Sequence, residues 1–131
     1  MTELQTGHCP GTLAAGHTTY SRAALNRMFH GRKVSHLLPY SSPASSEEEQ
    51  ALFRESQKKV SISGVQEKFS VVLEKNRLRL VEGNESGGYI LKPAPAGVKN
   101  GAQMPANEHL TMQLARQVFG IETAENALVF F

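Results

Sequence analysis

Three groups of residues in this chain have types and spacings suited to anion chemistry: Ser63-Gly64 with Lys68, then Lys92, then Glu108. Ser63-Gly64 interrupts a strand-forming run over 60–74 at a strand-to-strand turn. Small residues there let backbone N–H groups approach a ligand closely, and successive N–H groups form an anion-binding concavity. Lys68 adds a positive charge at the exit of the turn. Lys92 closes an apolar strand segment that starts at Tyr89, where a buried stem would present a focused charge. Glu108 lies in the first turn of a helix. At about 100° per residue it falls among Met112, Ala115 and Phe119, while His109, Gln113, Arg116 and Gln117 form a separate polar arc. A carboxylate on an inward stripe needs a cation, and Lys92 on the preceding strand is the candidate. Each feature also has a plainer account. Ser63-Gly64 serves equally as a hairpin turn, and Glu108 suits the positive end of the helix dipole.

The elements that position these residues follow from periodicity and punctuation. Residues 1–19 are rich in Gly, Thr and His without a period and are expected to form loop. Ser21 is placed to cap a short helix through Phe29, with Gly31 after its end. Residues 34–40 suggest a short extended piece closed by Pro39. Ser46 and Glu49 have capping-box spacing for a helix over 46–58, with glutamates at its start and lysines at its end. Phe69, Val71 and Leu73 alternate along the strand after the Ser-Gly turn, and Val72 breaks the alternation. Lys75-Asn76 turns the chain, Leu78 and Leu80 alternate with arginines, and Pro93 halts the strand over 89–92. A helix over 106–119 with Gly120 as its C-cap, then an apolar strand over 127–131, complete the chain. Met112, Ala115 and Phe119 are expected inside, Gln113 and Arg116 outside.

Composition sets bounds. A chain of 131 residues is one domain's worth. A formal charge of +2 gives no strong field toward nucleic acid or membrane. No run approaches the roughly 18 apolar residues of a membrane span, and the N-terminus lacks a signal peptide's apolar core. The single cysteine, Cys9, excludes an internal disulfide framework and fits a cytoplasmic setting. His8, Cys9 and His17 match no standard zinc spacing, so no metal site is expected. All twelve acidic residues are glutamates, and the chain has no aspartate.

The order strand, small-residue loop, three strands with a terminal lysine, and helix with a glutamate is similar to that of a protein-kinase small lobe. There a loop covers the nucleotide phosphates, a strand lysine holds them, and a helix glutamate orients the lysine. No G-x-x-x-x-G-K-[ST] run occurs, so the loop is not of the Walker A type, and the usual kinase G-x-G-x-x-G is also absent. The runs Ser61-Ile62-Ser63-Gly64-Val65-Gln66-Glu67-Lys68, Tyr89-Ile90-Leu91-Lys92-Pro93 and Asn107-Glu108 resemble the HipA family of bacterial serine/threonine kinases, most nearly its short HipT-type members. The resemblance is good from about Ser61 onward. Upstream, His8-Cys9-Pro10 and Tyr20-Ser21 resemble the start of such members.

The resemblance implies an α+β fold: a kinase-like small lobe over 60–131 with a mostly antiparallel sheet and one packed helix, preceded by a loop-and-helix extension over 1–59. It implies that Ser63, Gly64, Val65, Gln66, Glu67 and Lys68 form the ATP phosphate loop, that Lys92 contacts the phosphates, and that Glu108 partners Lys92. Ser61 and Ser63 match positions that autophosphorylate in members, ejecting the loop. It implies ATP with Mg2+ as cofactor, an aminoacyl-tRNA synthetase as substrate class, and a toxin role checked by a HipB-like DNA-binding partner and a small HipS-like protein. In the family, aspartates on the large lobe supply the base and the metal ligands. With no aspartate here, no catalytic residue is expected in this chain, which reads as a small lobe without its catalytic half: a fragment, a split gene product or a truncated reading frame. It is not expected to phosphorylate alone, while remaining able to bind an antitoxin or a large lobe supplied separately. The alternative is a non-catalytic interaction or antitoxin-like module that keeps the lobe fold.

Overall fold

β1 (Phe69–Glu74) lies between two antiparallel neighbours, β2 (Arg77–Leu80) and β3 (Tyr89–Leu91), in the order β2-β1-β3. The computed structural model describes residues 6–39, 68–95 and 99–131. Ser61 through Glu67 and the expected helix over 46–58 lie outside the described residues. The fold is α+β, with the three-stranded sheet joined by α1 (Arg22–Phe29) and α2 (Met104–Gln117). The chain divides into two units. A helical unit comprises Met1–Leu37 and Gln103–Phe130, and a sheet unit comprises Leu38–Ala102 with Phe131.

In the sheet unit, β1 and β2 are joined by the two-residue turn Lys75-Asn76. Both residues adopt positive φ, 49° and 64°, and that handedness matches the twist of the flanking strands. The register pairs Val71 with Leu80, Leu73 with Leu78 and Phe69 with Leu91, which collects their side chains on one face. Phe69, Val71, Leu78, Leu80 and Leu91 are all buried. The opposite face carries Ser70, Val72 and Arg79. Over it crosses the connection between β2 and β3, pinned by a bidentate ion pair. Arg79 Nη1 and Nη2 donate to Glu85 Oε1 and Oε2 at 2.7 and 2.6 Å, and Arg79 Nε donates to Glu74 Oε2 at 2.6 Å. Where the connection passes β1 it is a glycine by necessity. A Cβ on Gly87 would lie 1.9 Å from Ser70 Oγ and 2.9 Å from the Val71 carbonyl oxygen.

The helical unit begins with a loop folded around a sulfur atom. Cys9 is fully buried, and its Sγ accepts from the main-chain N–H groups of Gly11, Thr12 and Ser21 at 3.4, 3.3 and 3.1 Å. Burial would push this thiol's pKa up, but the hydrogen bonds from Ser21 and Thr12 outweigh it and draw the value down to about 7. Ser21 Oγ caps α1 by accepting from the Ala24 N–H, as its placement predicts. His30 and Gly31 leave the helix in the left-handed region, with φ of 55° and 81°. Tyr20, Phe29, His36 and Phe130 then form an aromatic cluster with centroid separations of 5.4 to 6.3 Å. Tyr20 Oη donates to the Leu128 carbonyl, which satisfies the one polar atom such a ring buries.

Two expectations are corrected. The closing strand over 127–131 reduces to one parallel bridge between Leu37 and Phe130. Phe130 N–H makes that bridge by donating to the His36 carbonyl, and Leu128 N–H donates instead to the Pro10 carbonyl of the Cys9 loop. The second correction concerns the rotation of α2. His109 and Gln113 are buried, Glu108 is exposed, and Phe119 is 72% exposed with Leu110 and Leu114 also exposed. The inward face is thus rotated by about 90° from the expected stripe, at 100° per residue. Side-chain partners on the closing segment explain the rotation. His109 Nδ1 bonds Asn126 Oδ1 at 2.6 Å, Gln113 Nε2 donates to the same oxygen at 3.0 Å, and Arg116 forms a bidentate pair with Glu125. A polar stripe can face inward when its groups are hydrogen-bonded. α2 also starts two residues early, because Pro105 in the first turn loses no helical hydrogen bond.

Two substitutions test this packing. Gly87→Ala forces the connection off β1 and should lower unfolding stability by about 1–3 kcal/mol. Gln113→Ala strips a donor from Asn126 and should cost about 1–3 kcal/mol, whereas Glu108→Gln should cost under about 1 kcal/mol. Urea denaturation of the three variants reads all three values. A large loss at Glu108 with none at Gln113 would restore the apolar-stripe register.

Candidate functional site

Antiparallel pairing of β1 with β3 ends with a lysine next in sequence on each chain segment. The ladder runs Val71↔Tyr89, Ser70↔Ile90 and Phe69↔Leu91. One step further along the same register lie Lys68, immediately before β1, and Lys92, immediately after β3. Opposed positions in such a ladder hold their Cα atoms about 4.5–5.5 Å apart. Both are half-buried. Lys92 is not part of the strand itself, which ends at Leu91. Pro93 follows, and its missing N–H ends the pairing.

Electrostatics differ between the two ends of the sheet. At the hairpin end, Arg79 gathers Glu74 and Glu85. Hydrogen bonds from Arg79 hold the Glu85 carboxyl down to about 2, aided by the Glu82 N–H, and the same guanidinium lowers Glu74. Arg79 itself is held above its ordinary range by Glu85 and Glu74. The other end carries Lys68 and Lys92. Two ammonium groups at neighbouring strand ends suit a ligand with several negative oxygens. Each is a point charge with three donors.

The residues singled out from sequence are distributed as follows. Lys68 and Lys92 lie one residue beyond the last pair of the β1–β3 register, Phe69 with Leu91. Ser61, Ser63, Gly64, Val65, Gln66 and Glu67 lie outside the described residues and lead directly into Lys68. Glu108 stands exposed in the first turn of α2, in the helical unit, while Lys92 belongs to the sheet unit. Cys9 Sγ is engaged by its own loop, and among the described residues no three His, Cys, Asp or Glu side chains come together as metal ligands. Among the described residues no helix is long and apolar enough to cross a membrane.

Sequence reasoning missed the buried pair His109 and Gln113. The signal was present, since residues 109, 113 and 116 recur at helical spacing as regularly as the apolar residues do. What periodicity leaves open is which stripe meets the rest of the unit. Asn126 and Glu125, which decide it, lie beyond the helix.

Residues 60–131, more than half of the chain, match the family described as HipA-like C-terminal domain. A Haemophilus influenzae protein named "Putative kinase" is 31% identical over 112 residues, which cover 86% of this chain and 30% of that relative. The chain therefore spans under a third of the relative's length. The matched segment contains the sheet, both lysines and α2, and with it the chain belongs to the HipA-like family.

Proposed function

We propose that this chain is the nucleotide-binding lobe of a HipA-type protein serine/threonine kinase, of the short HipT-like kind. The observation that carries this reading is the β1–β3 register that ends at Phe69↔Leu91, with Lys68 and Lys92 each one residue beyond it and residues 61–67 leading into Lys68 in sequence. The two ammonium groups fit a polyphosphate, and with backbone N–H groups around Gly64 they would hold the phosphates of ATP. Bound ATP with Mg2+ supplies the phosphoryl group and the charge neutralisation for transfer. This chain's part is to bind and orient. Lys92 fixes the phosphates, and Glu108 takes the role of its helix partner by resemblance to the family. The chain contains no aspartate, so the base and the metal ligands are assigned to a large lobe acting with it. The implied substrate class is an aminoacyl-tRNA synthetase, and the implied partners are HipB-like and HipS-like antitoxins.

Regulation would act through Ser61 and Ser63. A phosphate there adds about −1.5 to −2 charges near pH 7, beside a site built for another polyanion. Mutual repulsion would drive the 61–67 segment out and weaken nucleotide binding.

The test is calorimetric titration of the chain with MgATP and with adenosine. ATP should bind more tightly than adenosine. Lys68→Ala and Lys92→Ala should each lower ATP affinity by about tenfold or more, the worth of a charged hydrogen bond, while leaving adenosine unchanged. A double variant that binds ATP as well as the parent would refute the phosphate site and favour an interaction module.

A further inference from the structure

His109 is buried in the helical unit, 4% exposed, and its ring is held in one tautomer by its neighbours. Asn126 is oriented by two contacts: its Nδ2 donates to the Ala124 carbonyl at 2.9 Å, and its Oδ1 accepts from Gln113 Nε2 at 3.0 Å. The atom 2.6 Å from His109 Nδ1 is therefore an acceptor oxygen, and Nδ1 must carry the proton. That leaves Nε2 as a bare lone pair, buried and without a hydrogen-bond partner. Gln117 Nε2 continues the network, donating to the Thr12 carbonyl at 2.7 Å and to Gln113 Oε1 at 2.8 Å. One side of α2 is thereby tied to the closing segment through Asn126 and to the Cys9 loop through Thr12.

We propose that His109 is a proton-operated latch: neutral, it locks α2 to the Cys9 loop and the closing segment, and protonated, it releases them. Adding a proton to Nε2 creates a buried charge and a donor without an acceptor of ordinary geometry, both costly. The Gly11 main chain favours the charged ring, but burial opposes it more strongly, so the pKa lies below the ordinary 6.5. The charged groups lining the cleft beside Gly11, Gln113 and Asn126 are Arg27 of α1, Arg116 of α2 and Glu125 of the closing segment. They act on one another, and none contributes to the shift of His109. Cys9, which titrates to about 7 in the same loop, is the other group whose charge changes nearby.

The sign follows from proton counting. With a folded-state value below 6.5, the unfolded chain binds the proton first as the pH falls. Stability is full above 6.5 and is lost as the pH drops from there through the folded value. The consequence for nucleotide binding rests on the proposed role of Glu108, which sits on the same helix, while the latch itself does not.

The experiment compares the full chain with His109→Asn, whose amide N–H replaces Nδ1–H but does not titrate. Amide hydrogen exchange is measured between pH 8 and pH 5 and corrected for intrinsic rates. In the parent, protection of α2 and of residues 9–13 should fall together below pH 6.5, by about tenfold per unit of pKa depression. The variant should keep the gradual dependence due to Cys9 and lose the fall below 6.5. Ring-proton NMR of the parent gives a second reading that needs no variant: His109 should titrate below 6.5, with the Gln113 and Gln117 side-chain amides shifting in step. Identical exchange profiles in the two proteins, or a ring that titrates at or above 6.5, would overturn the latch. Parallel MgATP titrations separate the two claims. Opening without a change in ATP affinity upholds the latch and removes Glu108 from the nucleotide site.

Discussion

β1 is the only described strand with a partner on both sides, and its two registers decide where the charged residues of the sheet unit go. A slip of one residue against β3 would move every side chain to the other face, parting Phe69 from Leu91 and Lys68 from Lys92. Burial of Phe69, Val71, Leu80 and Leu91 on one face makes that slip expensive. The apolar face therefore holds the two lysines at one end of the ladder. At the hairpin end the same register places Arg79 beside Glu74 and within reach of Glu85.

The helical unit is built on the opposite principle. Its α2 interface is polar, and its organising groups are a sulfur, an imidazole and three amides. Such an interface is tolerable because almost every group is matched: Cys9 Sγ by three N–H donors, Asn126 by Ala124 and Gln113, Arg116 by Glu125. Among the described residues the exceptions are His109 Nε2 and Thr123 Oγ1. A matched polar interface is specific, and a single unmatched titratable atom within it makes the interface sensitive to protons.

Much of the sheet was legible because its signals are local. Alternation over 69–74, the Lys75-Asn76 turn and Pro93 each report on neighbours a few residues away. The same holds for Ser21 as the cap of α1. The rotation of α2 was not legible, because the choice between two stripes of equal period is made by Asn126 and Glu125, beyond the helix. The closing segment misled for a related reason. An apolar run of five residues has strand composition, but its N–H groups are taken by Pro10 and His36, over ninety residues distant in sequence. For the site, the lysines were recognisable by type and by place in the element order, while their adjacency required the register.

The central claim is that Lys68 and Lys92 share one phosphate ligand. The most direct measurement treats the chain with an acyl-phosphate derivative of ATP, in which a lysine amine near the phosphates attacks the acyl carbon and expels the nucleotide, followed by peptide mapping. The account predicts acylation concentrated on Lys92 and Lys68 among the seven lysines of the chain, suppressed by excess ATP. Labelling spread evenly over the seven, or unaffected by ATP, would contradict it.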